Sequence, residues 1–355
     1  ADKATLSDIS AIAMRCGGCG AKVGADVLNR ALSELEPVPN EDVLIGLHSP
    51  DDAAVVQIPE GKVAVHTVDY FRAFIDDAYV FGQVAANHAL SDIFAMGAEA
   101  QSALAIATVP FGLEAKVEAS LREMMTGAME VLNDAGATLV GGHTSEGPEL
   151  ALGFSVNGLA DRDTILRKGG MAPGDVLILT KPLGTGTLFA ADMQQKAKGR
   201  WIENALKSMV QSNRLAAQCL FSHGASACTD VTGFGLLGHA VEMTKASNVD
   251  VEFDMAALPI MDGALDTVRL GILSSLQPAN VRLRRAIRNM AAARENERYP
   301  LLFDPQTSGG LLASIQPEAA AACLQELHDL GYEHAAIVGR VHEETDHLEP
   351  ITLVA

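Results

Sequence analysis

Ala78-Tyr79-Val80-Phe81-Gly82-Gln83-Val84-Ala85-Ala86-Asn87-His88-Ala89-Leu90-Ser91-Asp92-Ile93-Phe94-Ala95-Met96 reads as one mostly apolar helix, and its place between strand-like runs decides the fold class. Upstream lie short β-rich runs at residues 53–58 and 63–68. Before them an amphipathic helix is expected at 25–35, with Val27, Leu28, Ala31, Leu32 and Leu35 at helical spacing. Downstream come a strand at 103–109, a long helix at 113–135 and strands at 137–140 and 151–159. The polar stretch 162–170, ending in Gly169-Gly170, reads as a linker. A second alternating unit starts at 175–180. It has helices near 184–195, 202–222 and 235–246, a strand at 250–253, then 311–315, a helix at 317–330 and 335–341. This alternation predicts an α/β (α+β) chain. The expected division is a leading segment 1–40, a first domain 41–162 and a second domain 170–355, since 355 residues suffice for two cores.

Hydrophobic residues make up 48% of the chain and charged residues 20%, a globular composition. Lys and Arg number 26 against 45 Asp and Glu, a net charge of −19 that disfavours a nucleic-acid surface. The basic cluster Arg282, Arg284, Arg285 and Arg288 repeats at helical spacing and reads as a solvated helix face. No apolar run is long enough to cross a membrane, and the start has no signal-peptide core. The chain lacks an initiator methionine, so a trimmed protein or a piece of a longer one is expected. Five scattered cysteines, at 16, 19, 219, 228 and 323, argue for a reducing, cytoplasmic setting over a disulfide scaffold.

Chemistry concentrates in a few segments. Cys16-Gly17-Gly18-Cys19-Gly20-Ala21-Lys22 sets thiols and an ammonium on a glycine-rich loop, where lysine favours the thiolate. Half a zinc site and a redox pair are the alternatives, but no second CxxC or close His pair completes the first. Aspartates follow at Asp51-Asp52, Asp69, Asp92 and Asp230, each near a turn. One such aspartate is often a cap or an Asx-turn; two adjacent acids repel unless a cation or solvent intervenes. Asn87/Ser91 and His88/Asp92 are i,i+4 pairs that make a polar patch, either a solvated face or a metal or phosphate site. Gly141-Gly142-His143-Thr144 is expected as a tight glycine turn that can cradle an anion. Thr232-Gly233-Phe234-Gly235 leads into a helix as a second anion candidate, with His239 as a structural residue. Asp304-Pro305-Gln306-Thr307-Ser308-Gly309-Gly310 reads as a turn before a strand. Thiol, lysine and carboxylates together suggest Mg²⁺-dependent phosphoryl transfer to a soft nucleophile.

Taken in order, these segments resemble the selenophosphate synthetases (selenide, water dikinases) across residues 16 to 345. The resemblance implies a PurM-like two-domain fold, with an N-terminal ATP-binding domain whose sheet dimerises and a C-terminal α/β domain. It implies the reaction ATP + selenide + water → selenophosphate + AMP + phosphate. By position it makes Cys19 and Lys22 catalytic and Asp52, Asp92 and Asp230 ligands of Mg²⁺. It makes Lys22, Ser49, Pro50, Asp51, Asp69 and Asp92 contacts of ATP, with Gly141, Gly142 and His143 reaching the partner subunit's nucleotide in a homodimer. A monovalent cation such as K⁺, a selenium-delivery protein and a fused upstream oxidoreductase are further implied candidates. Many members read Cys-Gly-Cys-Lys; here Ala21 replaces the second thiol and Cys16 stands upstream, so two thiols compete for the selenium.

The rival readings inside the superfamily are thiamine-monophosphate kinase, formylglycinamidine-ribonucleotide synthetase and the hydrogenase-maturation carbamoyl dehydratase. The last uses a C-terminal cysteine, whereas this chain ends Thr352-Leu353-Val354-Ala355. From a different class, a non-catalytic nucleotide-binding paralogue would be expected to lose the thiol, the lysine or an aspartate.

Overall fold

The structure is a computed structural model that describes residues 22–48 and 53–354. The chain enters through α1 (Ala25–Leu32) and a two-stranded ribbon of β1 (Val43–Ile45) and β2 (Val55–Val56). Then follow β3 (Lys62–Arg72), α2 (Ala78–Ala95), β4 (Glu99–Pro110), α3 (Glu114–Asp134), β5 (Thr138–Gly147) and β6 (Ala151–Asp161). The four long strands form a sheet in the order β3-β6-β4-β5. β6 runs antiparallel to β3 and β4, while β5 lies parallel to β4 at the edge.

Helix α2 starts where the Asp77 carboxylate accepts from the Val80 N–H at 3.0 Å, a side-chain N-cap. It is buried on almost every side because it lies beneath one sheet and against the second half of the chain. Two glycines let α3 approach its backbone. A Cβ at Gly82 would stand 1.9 Å from the Met124 carbonyl oxygen, and one at Gly127 would stand 2.0 Å from that of Tyr79. The opposite face of the sheet is open, with Val68 and Tyr70 59% and 47% exposed.

The second half comprises β7 (Val176–Leu179), α4 (Thr185–Met193), α5 (Gly199–Val210), α6 (Arg214–Ser222), β8 (Ala227–Asp230), α7 (Gly235–Ser247), β9 (Val249–Asp254) and α8 (Ala264–Arg269). Short helical turns fill 277–303, and β10 (Leu311–Ile315), α9 (Pro317–Asp329), β11 (Ala336–Glu343) and β12 (Ile351–Val354) close it. Its six strands take the order β12-β9-β11-β7-β10-β8. The largest apolar core joins both sheets, running from Phe81, Leu90 and Leu121 to Ile178, Leu311 and Cys323.

Three sequence expectations change. The helix read over 202–222 is two helices, α5 and α6, broken at Gln211, whose backbone is extended. The glycine turn at 141–144 is instead the middle of β5, paired with Leu104 to Ala107 of β4. Arg282, Arg284 and Arg285 sit on an exposed 3₁₀ turn rather than an α-helix, and Arg288 bonds Asp250 at 2.7 Å. The strands β1 and β12 and the helix α8 were not foreseen.

Candidate active site

The C-terminal turns of α2 gather acids from three distant segments. Asp69 comes from β3, Asp92 from the last turns of α2, and Asp230 from the end of β8. Alternation along β3 puts Thr67 and Asp69 on the helix side, and Thr67 Oγ1 donates to Asp92 Oδ2 at 2.5 Å. The three carboxylates act on one another. Partial burial and the Asp92 charge push Asp69 up to about 6, and burial followed by Asp92 pushes Asp230 up to about 6. A nearby His88 opposes the Asp230 shift, as does a hydrogen bond from Ser91.

Helix α2 serves both sides of this cluster. His88 Nε2 lies 3.8 Å from Asp69 Oδ2, and its Nδ1 accepts from the Ser308 N–H at 3.0 Å. That second bond leaves the neutral ring with its proton on Nε2, towards Asp69. Burial holds His88 below its ordinary pKa. Asn87 and Ser91 are buried, so the patch is not a solvated face: Asn87 donates to the Val210 carbonyl, and Ser91 meets Asn213 Nδ2 at 2.9 Å.

Sequence reading missed Lys181. Its ammonium is buried beside Asp230, donates to the Gln211 carbonyl at 2.5 Å and the Ser308 carbonyl at 3.2 Å, and is pushed down to about 7 by burial. Nothing local marks it, because a lysine after a strand looks like any surface lysine; only the fold buries it. Asp304 is likewise buried and pushed up to about 7, with Oδ1 unpartnered and Oδ2 accepting from the Gly186 N–H. The 304–310 turn is thus tied to α2, α4, Lys181 and Asn213 together.

A second group lies along β5. Lys22 forms an isolated antiparallel bridge with Ser145, and the Val23 N–H donates to the Thr144 carbonyl at 3.3 Å. The segment leaving the glycine-rich loop therefore runs beside Gly141, Gly142 and the exposed His143. These three line a cavity of about 580 Å³ together with Leu28, Ile45 and Ala54. Cys16, Cys19, Ser49, Pro50, Asp51 and Asp52 lie outside the described residues. His239 is structural: its Nε2 accepts from the Thr232 N–H at 3.0 Å, and burial pushes it down to about 4. Gly235, at φ +70°, turns the chain into α7 where L side chains rarely go.

Asp69, Asp92 and Asp230 repel one another, and among the described residues the buried Lys181 is a cation beside Asp230; carboxylate oxygens are hard donors, the kind a divalent cation takes.

Residues 50–160 match the N-terminal domain of the AIR synthase related proteins and residues 172–348 their C-terminal domain. Among solved structures, HypE of E. coli superposes with a TM-score of 0.69 at 18% identity, covering 93% of this chain and 92% of that one. Thiamine-monophosphate kinase from Stenotrophomonas maltophilia gives 0.65 at 20% identity, covering 92% and 94%. At these identities the likeness establishes the PurM-type fold. Sequence relatives reach further. The selenide, water dikinase of Caldanaerobacter subterraneus is 39% identical over 94% of this chain and 95% of its own length. That of Pelobacter propionicus is 40% identical over 92% and 93%. With identity at this level over almost the whole length of both partners, the chain belongs to the selenide, water dikinase family.

Proposed function

We propose that Cys19, Lys22 and two groups of site residues carry out in this chain the family's reaction, the ATP-dependent synthesis of selenophosphate from selenide and water. The chain is an enzyme of phosphoryl transfer, and the observation that carries this is the near-full-length match to selenide, water dikinases. The products AMP, phosphate and selenophosphate require two phosphoryl transfers from one ATP, one to selenium and one to water.

In this reading Lys22, Ser49, Pro50, Asp51, Asp69 and Asp92 contact ATP, and Asp52, Asp92 and Asp230 hold Mg²⁺. The closeness of Asp69, Asp92 and Asp230 supports that assignment. Bound Mg²⁺ would neutralise phosphate charge in a site that is already acidic. The protein's own part is positioning. Thr67 fixes the Asp92 rotamer, His88 and Lys181 hold the 304–310 turn, and Lys22 counters the charge of the phosphates. The Cys19 thiol is the loop group assigned to selenide handling, and the loop shields the transfer to selenium from competing water, which takes the second phosphoryl group. A monovalent cation such as K⁺ and a selenium-delivery protein remain part of the proposal.

The homodimer is proposed on the open face of the β3-β6-β4-β5 sheet, whose exposed Val68 and Tyr70 are apolar surface awaiting cover. In that arrangement Gly141, Gly142 and His143 reach the partner's nucleotide. Cytoplasmic placement is proposed from the free thiols of Cys219, Cys228 and Cys323, and no helix among the described residues is long and apolar enough to cross a membrane.

The thiol assignment is tested by selenide-dependent AMP formation under anaerobic conditions. Cys19→Ser is expected to abolish it and Cys16→Ser to keep most of it. The reverse ranking moves the selenium-handling thiol to Cys16, and normal turnover in the double variant removes thiol chemistry from the account.

A further inference from the structure

Between α6 and α9, two helices that pack together, three metal-ligating side chains meet and a fourth, Cys323, lies beside one of them. Cys219 and His223 stand four residues apart at the end of α6, and Cys323 and Glu326 three apart on α9, so each pair shares one helix face. The ligand atoms of Cys219, His223 and Glu326 all lie within 4.8 Å of one another. Cys219 and Cys323 are buried, and their sulfurs are 3.9 Å apart. A tetrahedral zinc with Zn–S bonds of about 2.3 Å separates two thiolates by about 3.8 Å.

We propose that Cys219, His223, Cys323 and Glu326 form a structural zinc site that staples α6 to α9. The donor set has the softness zinc prefers, two sulfurs and an imidazole with one carboxylate, and it differs in kind from the all-oxygen acids of the candidate active site. His223 Nε2 and Glu326 Oε2, now hydrogen-bonded at 2.7 Å, open by about 0.6 Å to reach the edge of a zinc tetrahedron. Cys323 swings towards them by side-chain rotation. Burial of the thiols provides the closed inner side, and the exposed Glu326 provides the entry path. The staple has a consequence for the rest of the molecule. Helix α6 begins just after Asn213, which bonds Ser91 of α2 and the Gly309 carbonyl of the 304–310 turn. Fixing the far end of α6 therefore steadies that bridge.

The test uses the full chain carrying Cys16→Ser and Cys19→Ser, so that the loop thiols cannot bind metal, stripped by chelator and titrated anaerobically with Co²⁺. The proposal expects one equivalent bound with thiolate-to-cobalt charge-transfer absorption, a signal that oxygen-only sites cannot give. Zn²⁺ should displace it and raise the thermal midpoint. Adding Cys219→Ser or Cys323→Ser should cut the absorption to about half, and His223→Gln, at a partly buried position, should weaken binding by at least the roughly 10- to 100-fold that loss of an outer hydrogen-bond partner of a ligand costs, without disturbing the fold. Three results overturn the site. One is no thiolate band at stoichiometric cobalt. Another is affinity unchanged in His223→Gln. The third is a protein two hydrogens lighter by mass, with Cys219 and Cys323 joined as a disulfide.

Discussion

At the scale of single residues the account rests on acids that share a small space. Asp69 and Asp230 move from an ordinary 3.8 up to about 6, so the folded chain binds protons more tightly than the unfolded one. For raised groups the stabilisation is complete below the unfolded value and is lost as pH rises through the folded value. These acids should accordingly cost metal-free protein stability between about pH 4 and about pH 6, with Asp304 extending the loss to about 7, while His239, pushed down to about 4, and His88, held low by burial, offset part of it over the same range. Mg²⁺ competes with those protons, so its thermal stabilisation should be larger at about pH 7.5 than at about pH 5. Calorimetry across this range checks both signs. Asp230→Asn should flatten the pH slope and remove much of the Mg²⁺ effect; an unchanged slope would mean that the acids do not interact as described. The sequence displayed each of these aspartates at a turn but could not say that they meet. Lys181 was invisible for the same reason: its burial is decided by Gln211 and Ser308, 30 and 127 residues away along the chain.

Elements were readable where periodicity and local chemistry agreed. Helix α2 begins at its Asp77 cap and β10 spans the expected 311–315. Where tertiary bonds overrule local pattern the reading failed. Apolar spacing continues through 202–222, yet the chain breaks at 211–213 because Asn213 is drawn to Ser91 and Gly309. Gly141-Gly142 looks like a turn, yet β4 pairs with it as strand. Both glycines at the α2–α3 crossing were legible as residues but not as contacts. Gly82→Ala should force the helices apart, since the new methyl meets backbone and not a movable side chain. A loss of about 1–3 kcal/mol or more is expected in urea denaturation. Gly199→Ala, where a Cβ meets nothing within 4 Å, serves as the control and should lose no stability. Equal stability of both variants would contradict the close approach.

For the whole molecule, the division at residues 162–170 stands as our proposal, and the two halves share their largest apolar core. The candidate acids draw on both halves, Asp69 and Asp92 from the first and Asp230 from the second, so a site of this kind needs both. The homodimer is proposed at the same scale. Sedimentation at micromolar concentration should give a dimer, and a charge placed at the open face by Val68→Glu should give a monomer that keeps its fold. A wild-type monomer with full activity would remove both the dimer and the role of His143 across it.

The central claim is that this chain transfers a phosphoryl group from ATP to selenide. Anaerobic ³¹P NMR of purified protein with ATP, Mg²⁺ and selenide measures that transfer directly. The account predicts a phosphorus signal split by ⁷⁷Se, appearing with AMP and phosphate in equal amounts, and absent in Asp230→Asn that is folded by circular dichroism. ATP consumed without any selenium-bonded phosphorus, or full product from Asp230→Asn, would contradict it.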